Sequence, residues 1–85
     1  MDNQLRYNLK KFIGQAVKQL RDDAGLTHEE LAYYSGKGEK YISKIERGEV
    51  KNITLDTLSD ISSGLQTVPS DLIAIAEKLE RDCED

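Results

Sequence analysis

Leu5, Leu9, Phe12, Ile13, Ala16, Val17 and Leu20 recur at intervals of 4, 3, 1, 3, 1 and 3 residues. That spacing keeps apolar side chains on one stripe of a helix, and it predicts a first helix over residues 5–24. Gly25, followed by the apolar Leu26, has the form of a Schellman stop. Asp22 and Asp23 sit badly against the helix dipole at that end.

Thr27 and Glu30 have the S/T-x-x-E spacing of a capping box, flanked by Leu26 and Leu31 at the positions of a hydrophobic staple. They predict a helix over 28–35, ended by Gly36. Lys37 and Gly38 complete a tight turn, and a further helix over 39–47 carries Ile42 and Ile45 on one side before Gly48 stops it. Two helices this short do not persist alone, so they must lean on the rest of the chain.

Thr54 is the next N-cap, with Ile53 and Leu58 again at staple positions. Leu55, Leu58, Ile61 and Leu65 line a fourth helix over 55–65, expected to end near Gly64 to Gln66. Pro69 suits a first helical turn and opens a fifth helix over 69–81. Leu72, Ile73, Ala74, Ile75, Ala76 and Leu79 cover more than one face of that helix. A surface of Leu72, Ile75 and Leu79 is therefore expected to meet either a second copy of the chain or a deeper part of its own core. The last six residues are expected to fray. The sum is an all-α, single five-helix domain.

At 85 residues the chain is near the lower limit for an independent core. Its 38% hydrophobic content is too high for disorder. The longest apolar run, Leu72 to Ala76, is far short of the ~20 residues of a membrane span. The start has no signal-peptide core, and Cys83 alone allows neither an internal disulfide nor a cysteine metal cluster. A cytoplasmic location is the default expectation. The net charge of −4 is unevenly spread: +2 over residues 1–24, zero over 25–52 and −6 over 53–85. The acid thus lies away from Lys37, Lys40, Lys44, Arg47 and Lys51, which cluster around the third helix.

Enzyme chemistry finds little to work with. His28 and Glu29 would need a second His four residues after the first to hold a catalytic metal, but position 32 is Ala and the chain has no other His. His28 has no evident partner to orient it for a nucleophile, and Gly36 and Gly38 lack the phosphate-cradling pattern of a P-loop. No cofactor, metal or small-molecule ligand is expected.

The string from Thr27 to Gly48, THEELAYYSGKGEKYISKIERG, with ITLDTL after it, resembles the helix-turn-helix of the lambda-type phage repressor and Cro family. KYISKIERG and the aromatic after LA look most like the small controller proteins of restriction-modification systems. The resemblance covers residues 20–72 and implies a lambda-repressor-like fold that binds double-stranded DNA. It matches Glu39, Lys40, Tyr41, Ser43 and Lys44 to the positions from which the family reads bases. Glu39 would accept from cytosine N4, and Lys40 or Lys44 would donate to guanine. His28 stands where the family often has a phosphate-gripping Gln. Arg21 and Glu46 match a pair that the family uses as a structural salt bridge.

The helix starts at Thr27 and Thr54 offer N–H groups to phosphate, and Lys37, Arg47, Lys51 and Asn52 flank the reading helix. Two departures stand out. Lys37 replaces an apolar turn residue and Gly38 a Ser or Thr cap, which predicts a looser turn. One such domain touches few base pairs, so a homodimer on two-fold operators is expected, with reading helices ~34 Å apart, regulating transcription and its own promoter. With no ligand segment evident, protein concentration is the input. The alternative is a protein-interaction module of the same fold, such as an antitoxin or anti-repressor, which the acidic fifth helix favours.

Overall fold

The computed structural model describes the backbone of residues 2–83 and the side chains of residues 9–83. The stripe position of Leu5 and the fraying of the final two residues lie outside the described side chains and backbone respectively. Five helices follow in order: α1 (Asp2–Asp23), α2 (His28–Ser35), α3 (Glu39–Glu46), α4 (Leu55–Gly64) and α5 (Pro69–Cys83). There is no strand among the described residues. The α1 helix begins three residues before the expected start, and α5 runs two residues past its expected end.

The long α1 is the spine. Its stripe packs against α5 along one side and against α3 on another, while α2 bridges α3 and α4. Phe12, Ile13, Ala16 and Val17 of α1 meet Leu31, Ile42, Ile45, Leu58, Ile61, Leu65, Leu72 and Ala76 in one buried cluster. Burying each large aliphatic side chain contributes ~1.5–3 kcal/mol, which is what allows two eight-residue helices to hold their shape. No helix among the described residues is long and apolar enough to cross a membrane.

Local signals account for the helix ends. The Thr27 Oγ1 accepts from Glu30 N at 3.0 Å and Thr27 N donates to Glu30 Oε1 at 2.9 Å, closing the capping box. Thr54 caps α4 in the same way, its Oγ1 accepting from Thr57 N at 3.1 Å. Gly36 takes φ 71° and ψ 20°. Its N–H and that of Lys37 donate back to Tyr33 O and Ala32 O, so the turn into α3 is a closed Schellman turn rather than a loose one.

The α4 helix ends at Gly64, within the expected stretch from Gly64 to Gln66. The left-handed residue is Gln66 at φ 60°, and Thr67 N donates to Ser62 O across it. Gly64 is buried against α2, where an added Cβ would lie 3.1 Å from a Leu31 methyl and 3.2 Å from Ser35 N. Leu55 does not join the α4 core stripe, for it is 76% exposed. Leu72 is fully buried in the core of the protomer, so it leaves the surface assigned to a partner. Ile75 and Leu79 pack half-buried against that core.

The misplaced acids at the end of α1 are partly explained. Asp22 lies 3.3 Å from the Lys18 ammonium and 3.5 Å from the Arg21 guanidinium. The exposed Lys18 pair contributes little, but both cations offset the dipole.

Candidate nucleic-acid interface

The α3 helix is mounted by its apolar side and fastened at its C-terminal end. Ile42 and Ile45 are fully buried beneath it, and spacing of three residues places both on one face. Glu39, Lys40 and Lys44 are exposed and Ser43 is half-buried, so the polar positions of EKYISKIE stand away from the core. Tyr41 differs from this group, since it packs half-buried against the core cluster. Gly38 supplies no side-chain cap to α3, and the acid of Glu39 in the first turn suits the dipole.

Glu46 is the fastening. Its carboxylate is only 5% exposed and accepts from Arg21 Nε at 2.7 Å and from Arg21 Nη2 at 3.2 Å. Arg21 Nη1 donates in turn to Leu26 O at 2.8 Å, which ties the α1–α2 corner to the same group. The hydrogen bonds to Glu46 push the Arg21 pKa above its ordinary value against the opposing effect of burial. This fork is planar and bidentate, the geometry in which arginine binds carboxylate best.

His28 belongs to the same cluster. Its Nε2 lies 2.8 Å from Glu46 Oε1, and because a carboxylate only accepts, the ring proton sits on Nε2. The expectation that His28 lacks an orienting partner is therefore wrong. The Nε2 is thus engaged within the protein, while the side chain as a whole is 37% exposed. Sequence spacing gave no hint of this contact, since 18 residues separate the two. One carboxylate thus holds α1, α2 and α3 at a common point.

Lys37 is also turned inward. Its ammonium lies 3.1 Å from Asp60 of α4 and the side chain is 25% exposed. This ion pair ties the turn to α4. Arg47, Lys51 and Asn52 are exposed beside the end of α3. Arg47 bonds Glu49 through Nε at 2.9 Å and Nη2 at 3.1 Å. Hydrogen bonding to Arg47 holds the Glu49 carboxyl below its ordinary range, so the pair is fully present above that range and is lost only as pH falls through the lowered value. The Thr27 and Thr54 hydroxyls are occupied by their own caps; what each start holds out to an anion is the first two N–H groups of the helix.

Gly14 is a residue that sequence reading missed. It lies on α1 where α3 ends, and an added Cβ would fall against the backbone carbonyl of Ile45, 3.0 Å from Glu46 O and 3.1 Å from Glu46 C. Its gap in the apolar stripe is the only sign of it in the sequence.

The described residues contain no cluster of His, Cys, Asp or Glu able to hold a metal ion. Their one free thiol is the exposed Cys83.

The model of the helix-turn-helix family matches residues 17–73. The control protein C.BamHI of Bacillus amyloliquefaciens is 37% identical over 67 residues, which is 78% of this chain and 82% of that one. Among solved structures, the wild-type restriction-modification controller protein C.Esp1396I superposes with a TM-score of 0.78 at 31% identity, covering 87% of this chain and 95% of that one. The controller protein C.AhdI from Aeromonas hydrophila gives 0.68 at 36% identity, covering 75% and 94%. These relatives are regulators rather than enzymes. With the family model spanning most of the chain and the α2–turn–α3 unit built as described, the chain belongs to the helix-turn-helix family of DNA-binding transcriptional regulators, with restriction-modification controller proteins among its relatives.

Proposed function

We propose that this protein binds specific double-stranded DNA operators as a homodimer, laying α3 in the major groove, and that it regulates its own promoter among its targets. The observation that carries the reading is the mount of α3. Two buried isoleucines and a buried carboxylate fix its pitch, while the side chains of Glu39, Lys40, Ser43 and Lys44 have no hydrogen-bond or ion-pair partner among the described residues. A major groove ~12 Å wide admits one such helix. Lys40 and Lys44 donate to guanine edges, Glu39 accepts from cytosine and excludes wrong bases by repulsion, and Ser43 reads at short range. Tyr41 supports this face from its half-buried position. Arg47, Lys51 and Asn52, with the helix starts at Thr27 and Thr54 and the part-exposed His28, meet phosphate.

One domain reads too little sequence to select a site in a genome, so two copies act together across a dyad. The partner surface draws on Leu55 and Val68, 76% and 51% exposed, with the outer parts of Ile75 and Leu79. The similarity to C.BamHI and C.Esp1396I supports a controller-like role, exercised in the cytoplasm.

Selection of bound duplexes from a random pool tests the reading. It should enrich a two-fold sequence whose half-sites repeat at about one helical turn or a multiple of it. Lys40→Ala and Lys44→Ala should each lose ~1–3 kcal/mol of discrimination at one position of that sequence. Lys51→Ala should weaken all DNA alike. No enrichment by a folded sample, or equal loss on selected and scrambled duplexes for all three variants, would overturn the assignment.

A further inference from the structure

We propose that α1 itself grips the DNA backbone, through Lys10 and Lys11 acting with Arg47 and Lys51 as one phosphate clamp. This rests on the DNA-binding reading above. A surface groove of about 400 Å³ runs between α1 and the segment that follows α3, lined by Lys10, Lys11, Arg47, Gly48, Glu49 and Lys51 among others. Four cations thus meet around one anion, Glu49, whose two oxygens already accept from Arg47. In a chain of net charge −4, this gathers an excess of positive charge in one concave place. The sequence separates the two halves by 36 residues or more, and no motif joins them.

The groove is built rather than incidental. The Lys10 ammonium donates to Lys51 O at 2.6 Å, across 41 residues, and so pins the loop to α1 while two of its three N–H donors stay available. Gly48 lies close against Lys11, where an added Cβ would be 3.4 Å from Lys11 Cα. Lys11, Arg47 and Lys51 are exposed, and none of the three lysines pairs with a carboxylate among the described residues. Position chooses the occupant. Arg47 is the C-cap of α3, so the groove continues directly from the end of the reading helix. The ligand that lies beside a helix seated in a major groove is the sugar–phosphate strand bordering that groove, a line of phosphodiesters matching a line of cations. The clamp carries no base recognition; it adds contacts from α1 that a bare helix-turn-helix lacks.

The test measures fluorescence anisotropy for the full chain at salt concentrations from ~50 to ~200 mM. It uses a duplex selected from a random pool and a scrambled duplex of the same length. Each phosphate contact adds about 0.9 to the steepness of log K against log salt. Lys10→Gln with Lys11→Gln removes four contacts from a bound dimer and should therefore flatten the slope by about 3.6 on both duplexes, so that the loss across this range is roughly a hundredfold smaller than for the unaltered protein. The ratio of affinities for the two duplexes should stay the same. Lys10→Arg with Lys11→Arg, which keeps the charge, should keep the slope, and Lys11→Gln alone should remove about half the effect without touching the Lys10 bond. An unchanged slope in the folded Gln variants would overturn the clamp while leaving sequence reading intact. Loss of preference between duplexes in the unaltered protein would overturn the reading, and the slope on the scrambled duplex would still decide the clamp.

Discussion

Gly14→Ala offers a test in which two effects have opposite sign. In an exposed helix interior the change stabilises by ~1 kcal/mol, because alanine loses less backbone freedom on folding. That gain would raise Tm by about 4–8 °C in a domain of this size. At Gly14, however, the added methyl meets backbone on the facing helix. It would stand 3.0 Å from Glu46 O and 3.1 Å from Glu46 C, and nearer still to Ile45 O. A relaxed contact lies at roughly 3.5 Å, and no side-chain rotation relieves a clash with a carbonyl. The α3 helix must move away from α1 by about 1 Å, against the pull of the Arg21–Glu46 fork. Overpacking of this kind costs ~1–3 kcal/mol, and the backbone-to-backbone character puts it at the upper end. The net result is a loss of ~1–2 kcal/mol and a fall in Tm of about 4–16 °C. Thermal melting followed by circular dichroism reads this directly. Preference for the selected duplex over the scrambled one should fall as well, since the displaced helix is the one that reads. A variant that melts at or above the unaltered protein would refute the close approach of α1 and α3.

Three further outcomes follow from other places in the fold. Arg21→Ala strands the buried Glu46 carboxylate, and denaturant unfolding should show a loss of ~3–5 kcal/mol. Arg21→Met with Glu46→Leu should be markedly less unstable than the sum of the single changes, and simple additivity would count against a coupled pair. Gln66→Gly relieves a left-handed residue, so the midpoint of unfolding should rise by the equivalent of ~1 kcal/mol; a drop would mean that the Gln66 side chain holds something in place. Leu55→Glu puts a charge on a side chain that touches little of its own protomer. Sedimentation should then show monomers with an unchanged melting profile at low concentration, whereas an intact dimer would move the interface away from α4.

Much of the fold was legible in the order of residues because its signals are local. A capping box, a staple and a glycine stop each act within five or six positions, so Thr27 with Glu30 and Gly36 with Lys37 define α2 and its turn without reference to anything distant. The alternation of Ile42 and Ile45 with Glu39, Lys40, Ser43 and Lys44 likewise told which side of α3 faces out. The resemblance to the repressor family pointed to the Arg21–Glu46 pair, which spacing alone does not suggest.

What only the folded chain decided depends on distance through space. His28 meets Glu46, Lys37 turns to Asp60, and Lys10 reaches the carbonyl of Lys51, in each case across an interval that carries no period. Gly14 and Gly64 are required by how near two backbones come, a quantity that a missing side chain records but does not explain. The fate of Leu55 and Leu72 was open for the same reason. Both are apolar and both fit a helical stripe, yet Leu72 is buried and Leu55 exposed because of how α4 packs on α2 and α5 on α1. Helix-forming tendencies belong to neighbours in sequence; burial and charge pairing belong to neighbours in space, and only packing chooses them.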